Sequence, residues 1–384
     1  MPVVSGGNLH SVFIDTNQVV WCCGSNHLGQ LGLGDTSENI GRDGLEVNPI
    51  QPLTCLPPIT SVATGSYHTL FLDEIGRVWS TGQNTHGQLG SGNNEQRFVP
   101  ESIPDLPPIK KIFAGSYHSQ FIDTEGKVWG CGYNLYGQLG FGDKDSRNVP
   151  EMLNSISTQV VSICGYSHSV FLTTIGEVYV CGSNSNNQLG LPLKNNNPET
   201  SVLVPTKIQL FMQFKKFVAI SAGINHTLFL TEDGNVHGCG ANSYGELGGT
   251  SSPQLQEIKV CSNPISSISA GQYHSLFLDS AGNTYSCGFG FHYQLGSGKW
   301  YDIAVPRKIS KIPKCQAIFC GFNYSIFIDK KGNMWGCGLT KHGELGDAQS
   351  AEKPRQIGNN LFNILLDANI EISNTIATKS ARNV

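Results

Sequence analysis

The sequence predicts an all-β fold, a seven-bladed β-propeller, from three observations. One segment recurs seven times, with GxxH motifs beginning at residues 7, 65, 115, 165, 223 and 271 and a GxxY variant at 321. Successive copies are spaced by 58, 50, 50, 58, 48 and 50 residues, and about 50 residues is the size of a propeller blade. Each copy contains three or four short runs of β-forming residues. Seven such units without an atypical terminal repeat favour a closed ring over an open β-solenoid.

The third copy shows what each unit contains. Its β-runs and turns follow one another in a fixed order: the run Lys111–Ala114, the corner Gly115–His118, the run at Phe121 and Ile122, the turn Asp123–Gly126, the run Val128–Cys131, the loop Asn134–Gly140 and a run that begins at Pro150. Two runs joined by a four-residue turn predict a hairpin, and a lone hairpin is marginal in water. The proline-led run predicts an edge strand, because proline cannot donate to an inner ladder.

The glycine of the hairpin turn predicts a left-handed backbone. Gly126 recurs eight residues after the motif histidine in every copy except the first, where Gln18 takes its place. We expect valine to be strained at Gly126, because a branched side chain fits poorly at positive φ. We expect the same change to be mild at Gln18.

The ends of the chain suggest how the ring closes. We assign residues 1–357 to the propeller and residues 358–384 to a C-terminal tail or cap strand. The chain begins at a β-run and the last unit ends near Ile357, so the N-terminal strand is expected to pair within the final blade.

Composition excludes several classes of function. The chain has 25 basic and 29 acidic residues, a net charge of −4, which makes nucleic-acid binding by a general basic field unlikely. No apolar run has the length of a membrane span, so we expect no membrane insertion, and no secretory signal is visible. Most of the 12 cysteines occupy slots that small residues fill in other copies, which predicts free buried thiols and a reducing compartment. We therefore expect a cytoplasmic location, with the nucleus as the alternative.

No enzyme active site emerges from the sequence. The repeated histidines recur once per unit, which is typical of a structural hydrogen-bonding corner, and Tyr324 fills that slot in the last copy. The cysteine spacings lack a metal-ligand pattern, so no metal is expected. No nucleotide fingerprint opens a helix, so no cofactor is expected.

The repeat resembles that of the regulator of chromosome condensation family over nearly the whole chain. The resemblance rests on GxxH[ST], the turn glycine and [WY]xCGxNxxGQLG, the pattern that runs from Gly115 to Gly140. It implies a seven-bladed propeller whose relatives include an exchange factor for the small GTPase Ran, photoreceptors, ubiquitin-ligase and ciliary scaffolds, and enzyme inhibitors. The basic N-terminal arm of the chromatin-docked exchange factor is missing before Val3, and no acidic residue stands in the GxxH pairs. The net charge of −4 and the missing arm disfavour chromatin docking.

The resemblance implies a protein-interaction function without catalysis. Our leading hypothesis is regulation of a small GTPase, Ran-like or another, as a guanine-nucleotide exchange factor or its scaffold. The alternative is an adaptor for a ubiquitin-ligase or trafficking complex. The oligomeric state is left open.

Two surfaces are candidates for the partner. The first is formed by the variable residues within the motifs, since equivalent loops of a propeller converge on one face and aromatic residues are typical interface anchors. Its residues are Tyr67, Tyr117, Tyr166, Asn225, Tyr273, Phe322 and Asn323. The alternative is that these tyrosines only pack on the adjacent corner. The second surface is formed by the longer segments Asp35–Gln51 and Leu191–Thr206, which are either binding loops or solvated linkers.

Overall fold

A computed structural model describes residues 4–15, 17–34, 48–192, 200–209, 216–249, 254–347 and 349–357. Within these ranges every regular element is a β-strand, and the strands form seven four-stranded antiparallel sheets. The predicted all-β, seven-bladed propeller is confirmed. Much of the two longer segments proposed as binding loops, and the whole tail 358–384, lie outside the described residues.

Each blade consists of four consecutive strands, and the first strand of each blade lines the central channel. The strands of blades 1 to 4 are β1 (Val4–Gly6), β2 (His10–Ile14), β3 (Val20–Gly24) and β4 (Asn48–Leu53); β5 (Ile59–Thr64), β6 (His68–Asp73), β7 (Val78–Gly82) and β8 (Arg97–Ser102); β9 (Ile109–Ala114), β10 (His118–Asp123), β11 (Val128–Gly132) and β12 (Arg147–Leu153); and β13 (Val160–Gly165), β14 (His168–Thr173), β15 (Val178–Ser183) and β16 (Ser201–Lys207). Those of blades 5 to 7 are β17 (Phe217–Ala222), β18 (His226–Thr231), β19 (Val236–Gly240) and β20 (Gln256–Ile258); β21 (Ile265–Ala270), β22 (His274–Asp279), β23 (Thr284–Gly288) and β24 (Ile303–Lys308); and β25 (Cys315–Cys320), β26 (Tyr324–Asp329), β27 (Met334–Gly338) and β28 (Ala351–Gln356).

The expected strand exchange at ring closure is wrong. Strand β1 pairs with β2 of its own blade, with Val4 opposite Phe13 and Gly6 opposite Ser11, and the final blade supplies all four of its own strands. The reason is that the chain starts at the channel-lining strand of a complete unit, so neither terminal blade lacks a strand. The ring is closed by packing and by hydrogen bonds between blades 7 and 1, such as Phe322 N–H to the Gly7 carbonyl at 3.3 Å.

The core lies between neighbouring blades. A phenylalanine three residues after the motif histidine is fully buried in all seven blades, and so is a leucine in the loop after the third strand. These residues are Phe13, Phe71, Phe121, Phe171, Phe229, Phe277 and Phe327, with Leu31, Leu89, Leu139, Leu189, Leu247, Leu295 and Leu345. Each sheet buries both faces against its neighbours, so a single blade is not stable alone. Closure of the ring stabilises the fold, because it buries the exposed faces of the first and last blades against each other.

The outer strands carry the prolines, as predicted. Pro100, Pro150, Pro205, Pro306 and Pro354 all lie in the fourth strand of their blades. The fourth strand is the sheet edge, where the missing N–H leaves no ladder bond unmade.

An aspartate clamps the hairpin turn at the opposite end of the second strand from the motif corner. The Asp123 carboxylate accepts the backbone N–H of Glu125 and Lys127, both at 2.9 Å, and the indole N–H of Trp129 at 3.1 Å. The same clamp forms around Asp15, Asp73, Asp279 and Asp329. The strand tryptophans therefore serve the fold.

The left-handed turn is confirmed, but the expectation for Gln18 is wrong. Gly126 has φ of +82°, and Gln18 adopts φ of +63° at the same position. The hairpin geometry thus imposes positive φ on every residue in this slot, and valine would be strained at both sites.

Replacing Gln18 with glycine should therefore stabilise the protein. We expect the free energy of unfolding to rise by about 1 kcal/mol, the usual cost of a non-glycine residue in the left-handed region. The reverse change, Gly126→Gln, should destabilise, because its Cβ would also lie 2.7 Å from Gln159 Cβ. Urea unfolding of both variants measures the two effects, and a destabilised Gln18→Gly would contradict the argument.

Candidate protein-interaction face

The motif histidines form a hydrogen-bonded ring that joins the blades. In blades 1 to 6 the imidazole Nε2 contacts the hydroxyl that follows the histidine position of the next blade. The six pairs are His10–Thr69 (2.9 Å), His68–Ser119 (3.0 Å), His118–Ser169 (3.2 Å), His168–Thr227 (3.0 Å), His226–Ser275 (3.1 Å) and His274–Ser325 (3.0 Å). In blade 7 the Tyr324 hydroxyl lies 2.8 Å from Ser11 Oγ and donates to the His10 carbonyl at 2.8 Å.

The hydroxyls also determine the tautomer of the six imidazoles. The seven hydroxyls donate at 2.6–2.7 Å to the backbone carbonyl of the loop glutamine or glutamate in the preceding blade. A hydroxyl has one proton to give, so the imidazole must donate through Nε2–H. The buried thiol of the third strand, Cys131 for example, donates to the same carbonyl at 3.3–3.8 Å in six blades. The predicted corner role of the histidines is confirmed by these contacts.

The glycine that opens each motif leaves space for the aromatic side chain at the fourth position of the motif. A Cβ on Gly115 would lie 2.1 Å from His118 Cε1, and a Cβ on Gly321 would lie 2.1 Å from Tyr324 Cζ. The spacing GxxH therefore places the imidazole directly over a residue without a side chain.

Burial keeps these histidines neutral. Desolvation lowers the pKa of His10, His68, His118, His168 and His274 to about 3 and that of His226 to about 4. A base buried in this way cannot exchange protons with a substrate near neutral pH. All twelve cysteines are free, as predicted, and burial raises the pKa of Cys22 and Cys320 to about 12. The ring is a structural element.

The two variable residues of each motif point to different places. The first of them lies at the mouth of the channel, where its backbone N–H donates to the corresponding carbonyl of the next blade, for example Ser66 to Ser116 at 3.1 Å and Ser116 to Tyr166 at 3.0 Å. The second lies farther out on the same face, where its carbonyl accepts an N–H from the loop after the third strand, as Tyr117 does from Tyr133 at 2.8 Å. We call the surface formed by both positions and these loops the motif face.

Tyr67 and Tyr117, in neighbouring blades, form one aromatic patch. Their ring centroids are 6.3 Å apart, and both side chains are half-buried. His27 packs on Tyr67 at 5.8 Å, and His86 packs on Tyr117 at 5.6 Å. Tyr133 and Tyr136 extend this patch, which we call the blade 2–3 cluster. Burial lowers the pKa of His86 and raises that of Tyr117, so these two side chains are uncharged near neutral pH.

Tyr166 and Phe322 meet at the channel mouth. They occupy the inner position of blades 4 and 7, and their ring centroids are 6.3 Å apart. The Tyr166 hydroxyl lies 3.3 Å from Ser66 Oγ of blade 2. These contacts cover part of the mouth of a cavity of about 220 Å³ that the inner strands line.

Tyr273 belongs to a second patch, which we call the blade 5–6 cluster. It lies 5.5 Å from Tyr244 and 6.4 Å from Phe289, ring centroid to centroid. Phe291, His292 and Trp300 extend the patch through ring distances of 5.4 to 5.8 Å.

Asn225 and Asn323 occupy the outer position in blades 5 and 7 and are half-buried. Their carbonyls accept the N–H of Ala241 at 2.7 Å and of Leu339 at 3.0 Å, so their backbones serve the corner. The structure thus divides the seven predicted residues into two patches, a channel-mouth pair and two asparagines.

Sequence reasoning missed the aromatic residues of the loop after the third strand. Tyr133 and Phe289 stand one residue after the third-strand glycine in their copies, and Tyr136 and Tyr244 stand three residues farther on. Comparing the copies at those two offsets would have found all four. Trp300 has no counterpart at a fixed offset, so periodicity offers no signal for it.

Other kinds of site are absent from the part of the chain that the structure describes. No group of three or more histidine, cysteine, aspartate or glutamate side chains there could hold a metal ion. Nor does that part contain a helix of the length and apolarity needed to cross a bilayer.

Comparison with known families decides the family. Residues 4–216 match the model of the RCC1-like domain, and residues 217–246, 233–278 and 281–328 match models of the regulator of chromosome condensation (RCC1) repeat. The chain belongs to the RCC1-like family. Together these matches cover nearly all of residues 4–328, where the repeat was read from the sequence.

Relatives of this RCC1-like chain include regulators of several kinds. It is 41% identical over 92 residues to Protein RCC2 of Homo sapiens, covering 24% of this chain and 16% of that protein. It is 39% identical over 101 residues to the secretion-regulating guanine nucleotide exchange factor of Mus musculus, covering 26% and 20%. It is 33% identical over 99 residues to the regulator of chromosome condensation of Xenopus laevis, covering 26% and 22%. Each match spans less than a quarter of the relative.

Solved structures agree over most of the chain. The crystal structure of Prp20p from Saccharomyces cerevisiae, described with its binding properties to Gsp1p and histones, has a TM-score of 0.78 at 26% identity and covers 91% of this chain and 88% of that one. Human WBSCR16 has a TM-score of 0.74 at 22% identity, covering 85% and 86%, and shows the fold alone.

Proposed function

We propose that this RCC1-like propeller binds a small GTPase through its motif face and regulates it as a guanine-nucleotide exchange factor or as its scaffold. Three relatives support this choice of partner. One is called a guanine nucleotide exchange factor, another is called the X-linked retinitis pigmentosa GTPase regulator, and Prp20p is described with its binding to Gsp1p.

One observation carries the choice of surface. Six aromatic side chains of the described residues are exposed, and five of them lie on the motif face: Tyr136, Tyr244, Phe291, Trp300 and Tyr301. The sixth, Phe98, lies near the start of β8 beside the motif-face loop of blade 1, where a Cβ on Gly29 would lie 3.0 Å from Phe98 Cδ1. Exposed aromatic groups on a rigid scaffold are typical anchors of protein interfaces, because they bury much area at little entropic cost. The remaining surface carries mostly scattered aliphatic groups on the outer strands.

Exchange activity requires no catalytic residue of this chain. An exchange factor lowers the affinity of the GTPase for its nucleotide by binding the nucleotide-free form more tightly. By thermodynamic linkage, bound nucleotide then lowers the affinity of the exchange factor for the GTPase by the same factor. Exchange activity therefore needs a rigid, preorganised surface, and the seven hydrogen-bonded corners provide one.

The blade 2–3 cluster should hold the GTPase anchors. We expect Tyr67→Ala combined with Tyr117→Ala to weaken capture of a Ran-like GTPase, prepared nucleotide-free with EDTA, by about thirtyfold or more, since loss of a buried anchor costs about 2 kcal/mol. The melting temperature should fall by only a few degrees, because both side chains are half-buried.

Two further variants complete the measurement. Ile75→Ala is the matched control, since Ile75 is an exposed apolar residue in the hairpin turn of blade 2, at the opposite end of the blade from the motif face. Tyr273→Ala shows whether the footprint crosses the channel. Full capture by the double variant would exclude the blade 2–3 cluster, and a collapse in its stability would mean that the tyrosines belong to the core. Equal capture of the free and nucleotide-bound GTPase would favour the scaffold function over exchange.

A further inference from the structure

Blade 6 departs from the repeat where it contributes to the motif face. Gly290 stands where five blades have asparagine, and Tyr293 stands where five blades have glycine and blade 4 has Asn187. Tyr293 is held at φ of +62°, a backbone region unfavourable for a residue with a bulky side chain. Such strain is retained where the surrounding structure or a function requires it.

Gly290 allows the following loop to fold onto the face. A Cβ at this position would lie 2.0 Å from the Tyr301 carbonyl oxygen, so the loop of residues 297–302 can approach only because residue 290 has no side chain. The Gly290 N–H donates to Asp302 Oδ1 at 3.0 Å, which fixes the approach. The loop then carries Trp300 to within 5.8 Å of Phe291.

The result is an exposed aromatic surface with no partner in this chain among the described residues. The exposed fraction is 64% for Trp300 and 47% for Phe291. Tyr244 of blade 5 and Tyr301 border them, also exposed, while Phe289 and Tyr273 lie half-buried beneath. A tryptophan held this far into solvent by a loop that needs a special glycine is costly unless something covers it.

Basic side chains surround this surface, although the whole chain is acidic. Lys299 Nζ lies 5.4 Å from the Tyr301 ring centroid. Burial lowers the pKa of His292, and the positive charge of Lys341 lowers it further. Lys353 reaches the same loop, since a Cβ on Gly298 would lie 3.2 Å from its Nζ. Three carboxylates are near: Asp302 is engaged by the Gly290 N–H, Glu352 lies beside Lys353 on the outer strand β28, and Glu246 is buried, which raises its pKa. Three exposed lysines thus face solvent around an apolar centre.

We propose that the blade 5–6 cluster is a docking site for an acidic linear segment of a partner protein that carries an aromatic or large aliphatic anchor. The anchor packs against Trp300 and Phe291, and the flanking carboxylates pair with Lys299, Lys341 and Lys353. The aromatic and basic side chains lie within the adjacent blades 5, 6 and 7, a span that a short linear segment can contact. This site lies on the motif face but across the channel from the blade 2–3 cluster, to which the GTPase anchors are assigned.

The test uses the full chain and a random-peptide phage library, with counter-selection on Trp300→Ala. We expect the enriched peptides to be rich in aspartate and glutamate around an aromatic residue or leucine. Binding of a fluorescein-labelled peptide from that selection should weaken about thirtyfold in Trp300→Ala and should weaken with rising salt. It should also shift the fluorescence of Trp300.

Three further variants separate docking from folding. Gly290→Asn introduces the asparagine of five other blades and removes no aromatic residue, yet it should abolish peptide binding because it displaces the loop that carries Trp300. Lys299→Glu with Lys341→Glu should weaken acidic peptides only. Tyr136→Ala, in the blade 2–3 cluster, is the matched control and should bind the peptide normally. Enrichment of basic or proline-rich peptides, or enrichment that Trp300→Ala does not reduce, would overturn the proposal, as would a library that yields no binder.

Discussion

Lowering the pH from 7.5 to 5.5 is expected to reduce the free energy of unfolding by several kcal/mol. The six ring histidines are the cause, because burial holds their pKa at about 3 to 4 while the unfolded chain titrates near 6.5. At pH 5.5 the unfolded state binds a proton at each site and the folded state does not. Each histidine then favours unfolding by about 1.4 kcal/mol, and six do so by about 8 kcal/mol. Many domains have a total stability of that size.

The direction of the effect follows from which state binds protons. A histidine whose folded pKa is depressed stabilises the folded state fully above 6.5, and this contribution is lost as the pH falls towards 3. Glu344 acts in the opposite direction, because burial raises its pKa to about 7. Its protonation in the folded state adds about 2 kcal/mol at pH 5.5. Burial also raises the pKa of Glu246, so its protonation likewise stabilises the folded state at low pH. The destabilisation caused by the six histidines is still larger than the stabilisation from the two glutamates.

Urea unfolding between pH 7.5 and 5.0 measures the effect, and its slope counts the protons taken up. His118→Tyr is the matched variant, because blade 7 already accommodates tyrosine in this slot. It should fold and should lose the contribution of one histidine, so that its stability falls less steeply with acid. A stability that stays constant over this range would show that the folded protein takes up as many protons as the unfolded chain, which would contradict the lowered pKa of the ring histidines.

The sequence predicted the ring well because each constraint is local and occurs seven times. The hairpin turn needs a left-handed residue, the edge strand accepts proline, and the corner needs a glycine beneath the imidazole. Ring closure was predicted wrongly because it depends on where the repeat unit begins, and a repeat pattern alone does not define its boundary. Gln18 was misjudged for a related reason, since the fold imposes positive φ on whichever residue occupies the slot.

The candidate site was predictable only in part. The proximity of Tyr67 and Tyr117 follows from their equal offsets in adjacent blades. Tyr166 and Phe322 precede the outer position by one residue, and that single step moves a side chain from the outer face to the channel mouth. Trp300 lies outside every repeated offset, because the loop that carries it depends on Gly290, a local exception to the repeat. Repetition predicts the scaffold, whereas departures from it mark the surfaces that distinguish one member of a family from another.

Gly115→Ala is expected to destabilise the protein by about 3 kcal/mol, although it adds one methyl group. The new Cβ would lie 2.1 Å from Cε1 and 2.5 Å from Nδ1 of His118. The imidazole cannot yield, because it is fully buried and its Nε2 is bound to Ser169 of the next blade. Overpacking of this kind costs about 1–3 kcal/mol, and loss of the blade-to-blade hydrogen bond adds about 1 kcal/mol.

Gly130→Ala is the matched control in the same blade. Its Cβ would lie 3.4 Å from Leu139 Cδ2, an ordinary contact, and other blades place Cys22, Ser80, Val180 and Ser286 in this slot. We expect its stability to change by less than about 1 kcal/mol. Calorimetry of the two variants compares the same chemical change at a corner and in a strand. Equal shifts would mean that the corner glycine is retained for some reason other than the imidazole above it, whereas a large loss at residue 115 alone would identify the glycine–histidine stack as the element that locks each blade to the next.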